Sequence, residues 1–250
     1  MDYLRVTDFS AIANITIQFE NRDLQFQSKE GVEKAGVHLL GRVYTLSRRL
    51  VATFEAPIEI VAAAGMVEQY SRQRSVFQKS LPLAPGKYKL EIAANDVVSG
   101  NINRIDVPLD VPRYEEGRLS GGSLILADTI EALPRTSIGG AMFAIGDRKI
   151  RPRVGAQFGP SEKMGIYLQV YNLAKPNGIV GYEIDKAGTA EKALEFSEDI
   201  AAIPHASATQ VTIEKLLPLA GFPPGGYTLK VKIASGGQEY VQQANFSVTP

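Results

Sequence analysis

The chain has no cysteine and no tryptophan, and only two histidines among 250 residues. Without cysteine, disulfides, thiolate metal sites and cysteine nucleophiles are all excluded. With only His38 and His205 available, a hydrolase triad has few ways to form. Excess charge of either sign is also missing: Lys+Arg and Asp+Glu each number 27. The basic field expected of a nucleic-acid binder is therefore absent. No apolar run approaches the roughly 20 residues that span a bilayer as a helix. The opening Met1-Asp2-Tyr3-Leu4-Arg5 leads into strand-like alternation and contains no signal peptide. Either a cytoplasmic protein or a fragment of a longer one fits this beginning; the fragment is the expectation favoured below.

What is present is a repeat. Leu81-Pro82-Leu83-Ala84-Pro85-Gly86-Lys87-Tyr88-Lys89-Leu90-Glu91-Ile92 returns as Leu217-Pro218-Leu219, an insertion, then Pro224-Gly225-Gly226-Tyr227-Thr228-Leu229-Lys230-Val231. Upstream, Ile15-Thr16-Ile17-Gln18-Phe19-Glu20-Asn21 is echoed by Ile166-Tyr167-Leu168-Gln169-Val170-Tyr171-Asn172. Two echoes in the same order point to a duplication. Inside them the period is two, as in half-buried strands. Further strands are expected around Val37–Val43, Phe54–Ile60, Ile105–Leu109 and Phe246–Val248. Pro57 and Pro108 place two of these at sheet edges or bulges, because proline cannot donate to a ladder.

The fold class that follows is all-β: two tandem immunoglobulin/fibronectin-III-like antiparallel β-sandwiches. The expected domains are residues 1–113 and 124–250, joined by a polar, Gly-rich linker at 114–123. Leu124–Ile130 reads equally as strand or short helix, and Gly65–Arg74 is similarly open. In each Pro-Gly-x-Tyr the tyrosine shares the parity of the inward residues. Tyr88 and Tyr227 are the candidates for a tyrosine corner, ring buried and hydroxyl bonded to upstream backbone.

With these residues in view, a resemblance can be stated. Tyr3–Phe9, Ile15–Phe26, Ser75–Leu83, Val111–Tyr114 and Ser123–Asp128 together resemble the C-terminal region of acidobacterial GWxTD-domain-containing proteins. The likeness covers most of the chain, but the domain naming that family is absent, since tryptophan is missing. It implies a fragment of an exported protein, periplasmic or secreted, and transfers no catalytic residue.

Chemistry-bearing residues are sparse. His38 lies on the strand face opposite Val37 and Leu39, and His205 lies in a Pro/Ala/Ser-rich loop; neither adjoins a Gly-x-Ser-x-Gly elbow. Asn95-Asp96-Val97-Val98-Ser99-Gly100-Asn101 offers several oxygens to a calcium ion but lacks EF-hand order, so Asx-turn chemistry is the reading. Gly121-Gly122 and Gly139-Gly140 lack the Lys-Ser/Thr of a phosphate loop. Two surface features remain as partner-binding candidates. Lys149, Arg151 and Arg153 project from one side of a strand and can hold an anionic group, or simply guard an edge. Tyr167 and Tyr171, with Gln169 between them, form a possible aromatic platform. The expectation is a non-enzymatic interaction or spacer module without cofactor or metal. Its partner would be a protein, including a missing N-terminal domain of the same polypeptide. Carbohydrate or peptide binding is the alternative, and no nucleic-acid binding or membrane insertion is expected.

Overall fold

The computed structural model describes residues 1–29, 31–133, 142–189 and 191–250. Gly139-Gly140 lies outside the described residues. The strands are β1 (Asp2–Thr7), β2 (Ser10–Glu20), β3 (Gln27–Lys29), β4 (Val32–Thr45), β5 (Leu50–Ala63), β6 (Arg74–Leu83), β7 (Gly86–Asp96) and β8 (Ile102–Val111). They continue with β9 (Ser120–Gly121), β10 (Ile125–Ala132), β11 (Ala144–Ile145), β12 (Arg148–Pro152), β13 (Gln157–Phe158) and β14 (Lys163–Tyr171). The last five are β15 (Ile179–Lys186), β16 (Lys192–Asp199), β17 (Gln210–Pro218), β18 (Gly225–Ser235) and β19 (Gln238–Val248). The protein is all-β. Of the two ambiguous stretches, 65–74 contains the short helix α1 (Val67–Ser71), and 124–130 enters strand β10.

The strand orders repeat. One sheet runs β1-β2-β6; its counterpart later in the chain contains β10-β14-β17, extended by β12 and β11. The other early sheet is β5-β4-β7-β8 with β3 beside β4; the later one is β16-β15-β18-β19 with β13 at its edge. Pairing is antiparallel in the registered ladders except at β13–β19. Pro57 and Pro108 stand in β5 and β8, each bonded to one neighbour, as a missing N–H requires.

The upstream hydroxyl bond of a tyrosine corner is present in both copies, but only Tyr227 also buries its ring, while Tyr88 is half-buried. Tyr88 Oη donates to Ala84 O at 2.9 Å, and Tyr227 Oη donates to Pro223 O at 2.7 Å, four residues upstream each time. Gly86 and Gly225 open their strands at φ 150° and 154°, a backbone region that side chains with a Cβ rarely enter. The ladder is equivalent too: Gly86 faces Val111 and Gly225 faces Val248.

The chain forms two compact units. One comprises Met1–Thr16, Gln78–Pro82 and Arg113–Pro250; the other comprises Ile17–Phe77 and Leu83–Pro112. In the larger unit, two sheets face each other over one apolar layer. Ile166, Leu168, Val170, Val211 and Ile213 meet Val180, Tyr182, Ile184, Leu229, Val231 and Ile233. In the smaller unit Val37, Leu39 and Ala56 pack with Ile17, Phe19, Leu24 and Phe77, and the Phe54 and Phe77 rings stack at 6.3 Å.

The segment 114–123, expected as a linker, is packed within the larger unit. Tyr114 and Leu119 are buried, and β9 pairs with β14. Leu119 N donates to Gln238 Oε1 at 2.9 Å. Two of its glycines serve close approach. A Cβ on Gly121 would stand 2.6 Å from the Tyr240 ring, and one on Gly122 would stand 2.8 Å from the Tyr3 carbonyl oxygen. The first strand docks in the same unit: Tyr3 N donates to Ser123 Oγ at 2.8 Å, and Ser123 N to Tyr3 O at 2.9 Å. Leu4 joins a second apolar cluster with Ile125, Ala127, Ile145, Ile150 and Tyr167.

Candidate functional site

Strand β14 is central to the larger unit and is covered on both faces. Its even-numbered residues enter the inter-sheet core, while Tyr167 and Tyr171 lie on the opposite face beneath other chain segments. Each tyrosine is only 2% exposed, so the expected aromatic platform does not exist. The reason is tertiary: β1 and the 114–123 segment cover a face that alternation alone leaves wet. Burial pushes the Tyr171 hydroxyl up to about 12, with Arg5 opposing. It donates to Gln169 Oε1 at 2.8 Å and accepts from Arg5 N at 3.0 Å. Gln169 Nε2 donates in turn to Tyr167 Oη at 2.7 Å. The Arg5 side chain bonds Asn172 Oδ1 at 2.9 Å and pairs with Asp8 at 2.7 Å. The tyrosines therefore belong to a satisfied internal network.

The cation row is corrected in the same way. Arg153 Nε lies 2.7 Å from Asp128 Oδ1, an ion pair approached off the N–H direction, and its Nη2 pairs with Glu162 at 2.5 Å. The guanidinium also sits 4.9 Å from the Phe158 ring centroid. Arg151 reaches the other Asp128 oxygen at 3.7 Å. Burial pushes the Asp128 carboxyl up despite these two cations, so both arginines are spent partly on a costly carboxylate. Glu162 is also partly desolvated, yet Gly159 N–H and Arg153 bring its carboxyl below the usual range. Of the three candidate cations only Lys149 has no carboxylate partner among the described residues.

A different arrangement appears beside these residues. A pocket of about 670 Å3 is lined by Arg148, Tyr167, Gln169, Glu198, His205, Thr212, Glu214 and Lys215, among others. The β14–β17 register builds one wall by setting Glu214 opposite Tyr167 and Thr212 opposite Gln169. Arg148 Nε donates to Glu214 Oε1 at 3.1 Å. Lys215 Nζ donates to Glu198 Oε2 at 2.5 Å, and Tyr182 Oη donates to Glu198 Oε1 at 2.5 Å. Burial pushes the Tyr182 hydroxyl up, which keeps it a donor. His205 stands at the rim in the left-handed region, φ 60°. The lining sets two cations, Arg148 and Lys215, against three carboxylates, Asp147, Glu198 and Glu214, with amide and hydroxyl groups of Gln169, Gln210, Ser207 and Thr212 between them. The sequence offered no way to gather these residues, because the β14–β17 register and the 200–207 loop bring them together.

The remaining candidates are structural. His38 is exposed on β4 and belongs to the smaller unit, whereas His205 belongs to the larger. Asp96 is buried and accepts from Gln25 N at 2.9 Å, Val98 N at 3.0 Å and Ser99 Oγ at 2.8 Å. Its oxygens are committed to a turn. Among the described residues no three His, Cys, Asp or Glu side chains converge as a metal centre, and no helix is long and apolar enough to cross a membrane.

No protein-family model matches the chain, and no curated protein matches it. Among solved structures, red sea bream transglutaminase aligns over 98% of this chain and 32% of its own, at 10% identity and a TM-score of 0.25. The chain thus spans about a third of that protein's length. A superposition this loose carries no functional argument.

Proposed function

We propose that the chain is a non-catalytic contact or spacer module of a larger exported bacterial protein, made of two immunoglobulin/fibronectin-III-type sandwiches. The observation that carries this reading is the repeated frame, with matching strand orders and an upstream tyrosine hydroxyl bond at the start of the same strand of each copy. Such frames supply stiff, repeated surfaces without requiring a reactive centre. The likeness to the C-terminal region of GWxTD-domain-containing proteins supports an extracytoplasmic setting and a protein partner within the same assembly. Two experiments test the reading. Cross-linking mass spectrometry on the envelope fraction should capture a neighbouring protein. A broad hydrolase and transferase panel should register no turnover, and turnover abolished by Glu198→Gln or Arg148→Ala would overturn it.

A second reading rests on the pocket beside Arg148 and Glu214: recognition of a carbohydrate or peptide by hydrogen bonds rather than ring stacking. Glycan and peptide arrays followed by calorimetry should then find a ligand whose affinity falls at least tenfold in Thr212→Ala and Arg148→Ala. Binding unaffected by both substitutions removes this reading.

A further inference from the structure

The hairpin joining β4 to β5 departs from ordinary turn chemistry in two respects. Its tip, Leu46-Ser47-Arg48-Arg49-Leu50-Val51, exposes three apolar side chains: Leu46 at 72%, Leu50 at 51% and Val51 at 42%. Turns are normally polar, with glycine or asparagine where φ is positive. Here Arg48 takes that place, at φ 62°.

The tip is also well built. Thr45 N donates to Arg49 O and Arg48 N to Thr45 O, both at 2.9 Å, while Thr45 Oγ1 accepts from Arg49 N at 3.1 Å. It is a preorganised surface, so binding costs little ordering entropy.

Charge is one-sided along this stretch of the chain. From Lys34 to Phe54 the chain contains no acidic residue, although the whole protein balances 27 cations against 27 anions. The cations of adjacent β7 are matched by carboxylates, Lys87 by Asp110 and Lys89 by Glu91 and Asp106. Among the described residues Arg48 and Arg49 have no carboxylate partner.

We propose that this tip docks peripherally on a bilayer carrying anionic headgroups. Leu46, Leu50 and Val51 would enter the headgroup–acyl boundary, and Arg48 and Arg49 would meet lipid phosphates. A convex tip of six residues favours a bilayer over a protein partner. A stable protein interface needs on the order of 1,200 Å2 of buried surface, whereas a membrane rewards a few inserted apolar side chains with flanking cations. The expected strength resembles that of one myristoyl chain, about 10⁴ M⁻¹, reversible and salt-sensitive.

Co-sedimentation of the whole chain with phosphatidylglycerol-containing vesicles tests this. Wild type should bind them, bind pure phosphatidylcholine far less, and lose binding as salt rises. Leu46→Ser/Leu50→Ser should cost at least tenfold. Arg48→Gln/Arg49→Gln should cost roughly 25-fold, about fivefold per cation. Arg48→Asn separates binding from folding, because asparagine tolerates this backbone: it should raise the melting temperature while weakening vesicle binding. Failure of the wild type to bind anionic vesicles overturns the proposal. So does equal binding by the double variants, or saturable binding of a protein partner through these side chains in place of lipid.

Discussion

Asp96 and Ser235 occupy the same position in the two copies, closing β7 and β18, and each clamps the connection that follows the strand echoed upstream. They do so with opposite hydrogen-bond polarity. Asp96 Oδ2 accepts from the backbone N–H of Gln25 at 2.9 Å, whereas the single Ser235 hydroxyl proton is shared between the carbonyls of Leu173, 2.9 Å from Oγ, and Asn177, at 2.7 Å. The place and the task match in the two halves, while the chemistry follows whichever backbone group each loop turns inward.

A pH dependence follows for the smaller unit. Burial alone would lift the Asp96 carboxyl, but the donors from Gln25, Ser99 and Val98 outweigh it and hold the carboxyl below its ordinary value. A carboxyl depressed in the folded state stabilises fully above its unfolded pKa, near ~3.9. That contribution is lost as pH falls through the folded value. Chemical denaturation across the acid range should therefore show a loss that Asp96→Asn flattens. At neutral pH Asp96→Ala should cost about 2 kcal/mol, the scale of hydrogen bonds to a charged group. A flat wild-type profile would refute the assignment.

Ser235→Ala should destabilise the larger unit by about 1–2 kcal/mol, because it leaves inward carbonyls without their donor. Ser235→Thr, which keeps the hydroxyl, should recover part of that loss. Thermal unfolding of the two variants provides the comparison.

The two upstream tyrosine bonds should respond unequally. Tyr227 is 2% exposed, and its ring packs 5.3 Å from those of Phe222 and Phe246. Tyr227→Phe removes a buried donor and should cost about 1 kcal/mol. Tyr88 makes the same bond with its ring half-buried, so water replaces much of it and Tyr88→Phe should cost only a few tenths. Equal denaturant midpoints for both variants would contradict this ranking.

Gly122→Ala distinguishes a packed segment from a flexible one. A methyl group at that position meets the Tyr3 carbonyl at 2.8 Å and Leu4 at 3.0 Å, which backbone cannot easily yield. We expect a loss of about 1–3 kcal/mol, the usual cost of overpacking. Gly117→Ala changes an exposed residue with no neighbour within 4 Å and should cost less, through its φ of 70° alone. Equal melting temperatures for Gly122→Ala and wild type would restore the linker reading.

Much of the frame was legible without coordinates because strand alternation and Pro-Gly-x-Tyr are local signals. Tyr227, Leu229, Val231 and Ile233 are buried at every second position of β18, and the backbone alone sends alternate side chains to opposite faces. The candidate site was less legible. Tyr167 and Tyr171 do share a face, as parity requires, yet alternation cannot say whether that face meets water or another segment. The same limit applies to Arg153, whose partners Asp128 and Glu162 come from other elements.

By itself, then, the sequence determined the strand-rich class, the repeated strand pattern and the upstream hydroxyl bonds of Tyr88 and Tyr227, since each rests on a pattern or contact spanning a few residues. Tertiary structure alone decided that β14 is covered twice, that Gly121 and Gly122 are contact points, and that Arg148, Glu214, Glu198 and Lys215 line one pocket. These outcomes depend on strand register and on segments more than a hundred residues apart meeting in space, and no local periodicity encodes either.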